Sequence, residues 1–366
     1  MKFYIQSNSL SKYLQKTNRL IVKNVSNPIL ENILITIHNG ILSLTTTNLE
    51  IELIVNIKIS TKHTPGSTTV SGRKLLDICR HSLESSEIKI EAKENKMYIT
   101  SCNSKYILNT LPSNTFPNHN DVSYISEFFI YSDVLKNMIK KTKFSMGKED
   151  VRYYLNGVLL EKKNISLYIV GTDGYRLGVS KISLDKNINP FSIIIPRAAV
   201  IELYKLLNVK KQLIHVLISK NNIRIHIEEL IFTAQLISGE YPDYQSILMQ
   251  NKQYSVLLNQ ALLKKSLLRV SILANKNFCG IEINIKNNRF EVLSDNQEQE
   301  RAEDSFDINY CGKNIDISIN VYYILDILNT VDSENILFTF NDANNAIHIA
   351  AENDDKTLYV IMLLRR

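Results

Sequence analysis

One apolar helical pattern occurs three times along this chain at a constant spacing. Within residues 196–207, the positions i, i+3, i+4 and i+7 are occupied by Val200, Leu203, Tyr204 and Leu207. That spacing places side chains on one face of an α-helix, and Pro196 suits a first helical position. Shifts of 124 positions in either direction give matching sets, namely Leu76, Cys79 and Leu83, and Ile324, Ile327, Leu328 and Val331. We therefore predict three similar folding units, each containing this helix with one buried face.

The length agrees with a division into three domains. A chain of 366 residues exceeds what one hydrophobic core usually serves, and the repeat favours three domains over two. Helical patterns in each third are followed by short strand-like runs, with turn signals such as Asn39-Gly40. The predicted domains are residues 1–125, 126–246 and 247–366. Because no long linker separates them, each sheet is expected to cover an edge strand of its neighbour.

Composition argues against several classes of protein. The chain is 44% hydrophobic and 22% charged, which is ordinary for a globular protein. No run approaches the roughly 18 apolar residues of a membrane span, and the first residues lack the apolar core of a signal peptide. We expect a cytoplasmic protein without a membrane partner. The cysteines, Cys79, Cys102, Cys279 and Cys311, form no Cys-x-x-Cys pair and are expected to be reduced thiols.

A search for catalytic motifs finds little. The sequence contains no phosphate-binding glycine loop, no zinc-protease motif and no nucleophile elbow. The segment 171–177 offers Asp173 as an acid or base and Arg176 as an anion clamp, although a turn between strands explains it equally well. The sequence thus predicts no catalytic residue, metal ligand or cofactor, and an enzyme centred on Asp173 and Arg176 remains an alternative.

Positive charge is arranged in a repeated pattern. The net charge is +6, made up of +5, +5 and −4 in the three successive thirds. Two helices carry basic residues in the same register, which are Lys12, Lys16 and Arg19, and Lys136, Lys140 and Lys143. A solvated lysine face explains one such helix, but the repetition equally suits a surface for a polyanion. Since no base-reading motif accompanies these residues, any contact with DNA is expected to involve phosphates without sequence specificity.

The two ends of the chain differ in charge. Residues 295–304 are strongly acidic, whereas Lys74, Lys96 and Lys105 lie in the first third. A head-to-tail contact between two chains would use both sets, and it makes a ring if the rotation closes. A solvated acidic loop is the alternative explanation. The apolar terminus 358–366 is either a last strand or the border of a groove that binds peptides.

Three short segments and the repeats together resemble the beta sliding clamp family of bacterial DNA polymerase III. The segments are residues 151–157 (Val-Arg-Tyr-Tyr-Leu-Asn-Gly), 171–177 (Gly-Thr-Asp-Gly-Tyr-Arg-Leu) and 241–244 (Tyr-Pro-Asp-Tyr), and the resemblance covers the whole chain. It implies an α+β fold of three tandem DNA-clamp domains with helices on one side and antiparallel sheets on the other. Two chains would then form a head-to-tail homodimer, a closed ring around double-stranded DNA.

The resemblance also implies a role in DNA replication. Such a protein is a non-catalytic processivity factor of the DNA polymerase III holoenzyme, a DNA-directed DNA polymerase. Its implied partners are the polymerase catalytic subunit, the clamp loader and other clamp-binding replication and repair proteins. An open repeat scaffold that binds proteins without encircling DNA remains a further alternative.

The family's functional positions are carried over residue by residue. DNA contacts would involve Lys23, Asn24, Arg73, Glu149, Arg152, Tyr153 and Tyr154. The partner-peptide cleft would comprise Leu155, Thr172, Gly174, Tyr175, Arg176, Leu177, Pro242, Ile247, Asn320, Tyr323, Val360, Met362, Leu363, Leu364 and Arg365. The dimer interface would comprise Lys74, Tyr106, Leu108, Ile272, Leu273, Glu298, Glu300 and Glu303.

The sequence departs from the family pattern at four of the positions considered. The departures are Asn24 for arginine, Tyr175 for histidine, Ser246 for arginine and Leu363 for proline. We expect the shape of the cleft to survive these changes better than its polar rim.

Overall fold

The structure is a computed structural model that describes residues 1–23, 25–83, 86–118, 123–184, 187–207, 210–248, 254–274, 279–340 and 345–364. Two predicted site residues, Asn24 and Arg365, lie outside the described residues. Within the described part of the chain, every helix is too short or too polar to cross a membrane.

The first third alternates short strands with two helices. Its elements are β1 (Lys2–Gln6), α1 (Ser7–Thr17), β2 (Asn32–His38), β3 (Ile41–Thr47), β4 (Ile51–Lys58), β5 (Gly66–Ser71), α2 (Gly72–His81), β6 (Glu87–Lys93), β7 (Lys96–Ser101) and β8 (Ser104–Leu111). Short 3-10 helices lie at Asn18–Leu20, Pro28–Glu31 and Ser113–Thr115. Each half of the first third therefore consists of a strand, a helix and three further strands.

The second third repeats this order and adds a short helix after it. Its elements are β9 (Ser126–Tyr131), α3 (Ser132–Thr142), β10 (Gly157–Lys163), β11 (Ser166–Thr172), β12 (Arg176–Ser183), β13 (Phe191–Pro196), α4 (Arg197–Leu206), β14 (Leu213–Ile218), β15 (Asn222–Ile227), β16 (Leu230–Gln235) and α5 (Gln245–Leu248). Two 3-10 helices lie at Lys143–Ser145 and Tyr153–Leu155.

The last third follows the same order again. Its elements are β17 (Tyr254–Asn259), α6 (Gln260–Val270), β18 (Gly280–Lys286), β19 (Arg289–Asp295), β20 (Arg301–Asp307), β21 (Ile315–Asn320), α7 (Val321–Leu328), β22 (Asn335–Phe340), β23 (Ala346–Ala351) and β24 (Thr357–Met362). The predicted threefold repeat of helices and strands is confirmed.

The polypeptide folds into two compact units. Unit 1 comprises Met1–Asp133 and Lys205–Leu236, and unit 2 comprises Val134–Tyr204 and Ile237–Arg366. Unit 1 contains an antiparallel sheet of 12 strands in the order β1-β6-β7-β8-β5-β2-β3-β4-β16-β15-β14-β9. Unit 2 contains an 8-stranded sheet, β13-β10-β11-β12-β24-β23-β22-β17, and a 4-stranded sheet, β20-β19-β18-β21.

Strand pairs join successive thirds of the chain inside each unit. In unit 1, β4 pairs with β16 and sets Leu53 opposite Phe232. In unit 2, β12 pairs with β24 and sets Leu177 opposite Val360. Each pair satisfies backbone groups that an open sheet edge would leave free, so the predicted covering of edge strands is confirmed.

The repeated helices bury the predicted face except at Tyr204, which is half-buried, and at Leu83. Val200, Leu203 and Leu207 are buried, and so are all four residues of the copy that begins at Ile324. The prediction that Leu83 belongs to this buried face is wrong, because α2 ends at His81 and the Leu83 side chain is 70% exposed. Pro196 is also misplaced: it ends β13, where it pairs with Gly157, and the helix begins at the next residue.

We predict that Leu203→Ala lowers the free energy of unfolding by about 3 kcal/mol, because it leaves a cavity beneath α4. Leu262→Ala is the matched control, since the Leu262 side chain on α6 is 50% exposed. Its expected effect is within about 0.5 kcal/mol. Urea unfolding followed by circular dichroism measures both, and equal losses in the two variants would show that α4 does not pack as described.

Candidate functional site

The turn between β11 and β12 is closed by its own side chains. The Thr172 hydroxyl donates to the Arg176 carbonyl at 2.7 Å and accepts from the Gly174 backbone N–H at 3.1 Å. One oxygen of the Asp173 carboxylate accepts from the backbone N–H groups of Tyr175 and Arg176, each at 3.0 Å. Gly174 has φ +90°, a conformation that glycine adopts without strain. These bonds fix the position of Arg176 at the start of β12.

Arg176 is the centre of an ion-pair network. Its Nε donates to Asp173 Oδ2 at 3.0 Å, and its Nη1 donates to Asp326 Oδ2 at 2.5 Å. The guanidinium carbon lies 4.5 Å from the ring centroid of Tyr323 and 5.5 Å from that of Phe144. The Arg176 side chain is only 13% exposed. Its charge is therefore met by two carboxylates and two aromatic rings, in a site partly shielded from water.

An apolar cluster lies beside this network. Leu177 and Val360 are buried in it, together with Tyr244, and the half-buried Tyr154 and Ile247 pack against it. Further members are Leu159, Val170, Val179, Ile194 and Ala346, with Tyr168, Ile237, Tyr241 and Leu248 at its border. Several predicted cleft residues from distant parts of the sequence are thus brought together in unit 2.

Exposed apolar side chains stand next to the cluster. The Met362 N–H donates to the Tyr175 carbonyl at 2.8 Å, which fixes the end of β24 against the turn. Tyr175, Met362 and Leu364 remain 62%, 42% and 39% exposed. We refer to the surface formed by Tyr175, Arg176, Ile247, Tyr323, Met362 and Leu364 as the groove. Exposed apolar groups beside a buried apolar base are typical of a peptide-binding surface.

The other predicted cleft residues occupy different environments. Leu155 and Thr172 are buried, so they form the base beneath the surface. The Asn320 side chain caps α7 by accepting from the Tyr322 N–H at 3.0 Å. Leu363 and Tyr323 pack against the core of the last third, and the Leu364 N–H donates to the Ser318 carbonyl at 2.8 Å. Pro242 and Gly174 are exposed.

Two tyrosines near the groove have raised pKa values. Burial raises the pKa of Tyr241, whose hydroxyl donates to the Val170 carbonyl at 3.3 Å. Burial also raises the pKa of Tyr323, and the nearby Asp173 carboxylate adds to the effect. Both phenols therefore stay neutral at physiological pH.

The loop before β10 carries predicted DNA contacts of unit 2. Arg152 Nε and Nη2 donate to the two oxygens of Asp150, each at 3.0 Å, and Nη2 also donates to the Asp173 carbonyl at 3.2 Å. The hydrogen bond from Arg152 holds the pKa of Asp150 below its usual value. The Tyr153 side chain is 58% exposed and meets Tyr154 edge-on, with ring centroids 5.8 Å apart. Glu149 is exposed, with φ +55°.

The remaining predicted DNA contacts lie in unit 1. Arg73 Nη2 donates to the Ile21 carbonyl at 3.2 Å, and Lys23 follows two residues later. Both basic side chains are exposed. The structure therefore brings Arg73 close to the segment that contains Lys23.

The basic row on α3 and the 3-10 helix that follows it is engaged with other side chains. The ammonium groups of Lys136 and Lys143 lie 5.1 Å and 4.1 Å from the ring centroid of Tyr204, while Lys140 pairs with Asp332 at 3.0 Å. Burial, together with the charge of Arg197, lowers the pKa of Lys143. All three side chains are half-buried, and the surface for a polyanion stays a prediction.

The predicted dimer residues occupy two surfaces. On β8, Tyr106 and Leu108 are half-buried against the core of the first third, and Ile107 between them is 60% exposed. After α6, Ile272 is 79% exposed and Leu273 half-buried. Sequence reasoning missed Ile107, although alternation along a strand places it on the outward face. Lys74, Glu298, Glu300 and Glu303 are all exposed.

Both surfaces contain a strand with an open edge. In the described part of the chain, β20 pairs only with β19. On the side away from β7, β8 pairs with β5 only at Thr110 and Leu111. Residues 104–109 of β8 and the outer edge of β20 therefore present backbone groups that another strand could pair with.

Three consecutive repeats joined by antiparallel strand pairs, with a groove between the second and third, define a tandem-domain clamp fold. Sequence comparison matches the three parts to the family described as DNA polymerase III beta subunit: the N-terminal domain to residues 1–120, the central domain to 129–243 and the C-terminal domain to 245–365. The chain belongs to this family, the bacterial beta sliding clamps.

Relatives match along their full length. The beta sliding clamp of Buchnera aphidicola subsp. Acyrthosiphon pisum is 63% identical over 366 residues, covering 100% of both chains. That of Escherichia coli K12 is 37% identical over 365 residues, again covering 100% of both chains. The crystal structure of the DNA polymerase III subunit beta from Pseudomonas aeruginosa has a TM-score of 0.97 and 33% identity, with 100% of both chains covered.

Family membership decides between the alternatives left open for residues 171–177. The beta subunit is a non-catalytic component of DNA polymerase III. The alternative that this chain is an enzyme with an active site at Asp173 and Arg176 is therefore wrong. The structure agrees with a structural role, since Asp173 binds its own turn and Arg176. Among the described residues, no group of three or more His, Cys, Asp or Glu side chains is arranged to hold a metal ion.

We predict that Gly174→Ala destabilises the protein by about 1 kcal/mol more than Gly40→Ala does. Both glycines have positive φ, +90° and +74°, so alanine is strained at either position. Only at Gly174 would the added Cβ lie 3.0 Å from Arg152 Nη2, whereas at Gly40 its nearest neighbours are at 3.8 and 3.9 Å. Urea unfolding of the two variants gives the difference, and equal losses would mean that Arg152 does not pack on this turn.

Proposed function

We propose that this chain is the sliding clamp of DNA polymerase III, a processivity factor that encircles duplex DNA and tethers the replicative polymerase. The observation that carries this proposal is the match of all three consecutive domains to the beta subunit family, over the whole chain. We propose domain boundaries after residues 125 and 246: the first directly precedes β9, whereas the second falls inside α5 (Gln245–Leu248), ahead of β17. A cytoplasmic location follows from a role in replication.

Processivity in this proposal comes from topology. A closed ring stays on DNA without tight contacts, so cations need only attract phosphates loosely and without sequence specificity. Lys23 and Arg73 in unit 1, and Arg152, Tyr153 and Tyr154 in unit 2, are the proposed contacts. Glu149 and Asn24 complete the proposed set. A clamp loader would be needed to open the ring.

Ring closure would join β8 of one chain to β20 of a second chain. Each strand has an open edge, and their surroundings differ in charge. Lys105 belongs to β8, Lys96 begins the neighbouring β7 and Lys74 lies on α2. Glu303 belongs to β20, and Glu298 and Glu300 lie in the turn before it. Tyr106, Leu108, Ile272 and Leu273 would supply the apolar centre of the interface. Pairing of unlike edges gives a head-to-tail dimer that leaves neither strand open.

The groove would bind short apolar peptides of the polymerase catalytic subunit and of other replication and repair proteins. Its base is the cluster around Leu177 and Val360, and its exposed apolar side chains are Tyr175, Met362 and Leu364. Segments of the Gln-Leu-x-Leu-Phe kind offer the side chains that such a surface buries. Leu155, Thr172, Gly174, Pro242, Ile247, Asn320, Leu363 and Arg365 complete the proposed site.

The first test uses DNA of different topology. The clamp is loaded with a clamp loader and ATP onto a nicked circular plasmid, and free protein is removed by gel filtration. A ring should stay with the circle and be lost when a restriction enzyme makes the plasmid linear. Equal retention on circular and linear DNA would instead support the open scaffold.

A second prediction concerns the dimer. Ile272→Ala combined with Leu273→Ala should weaken dimerisation by about 2 kcal/mol or more, roughly 30-fold in Kd, because apolar area at the interface is lost. Sedimentation velocity over a range of concentrations measures this change. Leu262→Ala, at an exposed site on the preceding helix α6, should leave the dimer intact. A dimer unaffected by the double substitution would refute this interface.

A further inference from the structure

The acidic residue Asp326 contacts the groove but is absent from the set implied by the family. It lies on α7 and accepts from Arg176 Nη1 at 2.5 Å, across 150 residues of sequence. Asp173 holds Nε of the same guanidinium. Two carboxylates thus bind one cation, although a single carboxylate would balance its charge.

Arg152, a second described basic residue beside the groove, is also paired. Arg152 Nε and Nη2 both donate to the Asp150 carboxylate, and Nη2 also donates to the Asp173 carbonyl. Among the described side chains, Asp150, Asp173 and Asp326 against Arg152 and Arg176 leave a formal charge of −1 at this end of the groove. Ser246 adds no charge here, and its hydroxyl donates to the Asp243 carbonyl at 3.1 Å.

The geometry indicates that Asp326 is the residue that controls this charge balance. Asp173 is 18% exposed and is held by two backbone N–H groups, so it belongs to the fixed turn. The Asp326 side chain is 42% exposed and reaches Arg176 from another helix. With both carboxylates in place, the guanidinium is held over the Tyr323 ring at 4.5 Å. Loss of Asp326 would leave Nη1 without its carboxylate partner, while Asp173 would still accept from Nε.

We propose that Asp326 determines the charge selectivity of the groove: by neutralising and orienting Arg176, it makes the groove bind uncharged peptide ends in preference to carboxylates. The proposal rests on the proposed function, because it takes the groove to be the peptide site. Among the described side chains, a bound carboxylate meets a net formal charge of −1, and Nε and Nη1 of Arg176 are already occupied by Asp173 and Asp326. An uncharged apolar peptide end meets no such electrostatic repulsion at the same position.

The test compares two forms of one peptide. Acetylated Gln-Leu-Ser-Leu-Phe is prepared with a C-terminal amide and with a free C-terminal carboxylate, and Kd is measured for each by calorimetry at low salt. The unaltered protein should bind the amide about fivefold more tightly than the acid, the scale of one partly exposed charge interaction. Asp326→Asn should bring the ratio to about one, and high salt should reduce the difference between the two proteins.

Two control variants separate selectivity from general damage. Asp332→Asn removes the same charge from the same third of the chain, but Asp332 pairs with Lys140 and is 84% exposed, so the ratio should stay unchanged. Asp326→Glu keeps the charge and should keep the selectivity. Because the readout is a ratio of two peptides on one protein, a general loss of stability would not alter it.

The outcomes distinguish the two proposals. Binding of both peptides with an equal ratio in the Asp326→Asn variant and the unaltered protein would overturn the role of Asp326. Failure of both peptides to bind the unaltered protein would overturn the groove itself as the peptide site. A ratio that changes as much in Asp332→Asn as in Asp326→Asn would also refute the proposal, since any nearby charge would then suffice.

Discussion

Antiparallel hydrogen bonding between strands of successive thirds is the interaction on which the rest of the structure depends. A sheet of four short strands has two edges, and each unpaired edge exposes backbone donors and acceptors. The pair β4–β16 and the pair β12–β24 satisfy these groups within one chain. The second pair also creates the groove, because it sets Leu177 beside Val360 and brings Met362 to Tyr175. The same strand pair therefore joins the repeats and forms the binding surface.

Several positively charged side chains of the structure are paired with neighbouring carboxylates or aromatic rings. The sequence presents Arg152, Arg176, Lys136, Lys140 and Lys143 as free cations, yet each has a carboxylate or an aromatic ring nearby. Such pairs at partly exposed sites contribute modestly to stability, but they decide which charges a ligand meets. A net charge of +6 is consequently a poor guide to the local charge of any one surface.

Much of the fold could be predicted from periodicity. The spacing of Val200, Leu203 and Leu207 defines a helix face, and alternation defines strands, because these patterns depend only on neighbours in sequence. The prediction for Leu83 failed because α2 ends at His81 and the Leu83 side chain beyond it is exposed, whereas Leu207 and Val331, which also follow the last residue of their helices, stay buried. Helix ends depend on local capping and packing, which periodicity does not report.

The site was predictable only in part. The turn around Gly174 carries a local signature, and the resemblance of residues 171–177 to a known family identified it. Asp326 could not be found in this way, because its contact with Arg176 spans 150 residues and follows no repeat. Ile107 was within reach of sequence reasoning, since it alternates with Tyr106 and Leu108 on the same strand.

The unlike edges of β8 and β20 have a consequence for the proposed dimer. When an assembly joins unlike edges in one rotational sense, its symmetry axis passes through the central hole, and the two rims of the assembly are chemically distinct. Any feature of one subunit then recurs on the same rim half a turn away. Two proteins could thus dock side by side on one rim, both facing the same direction along the DNA.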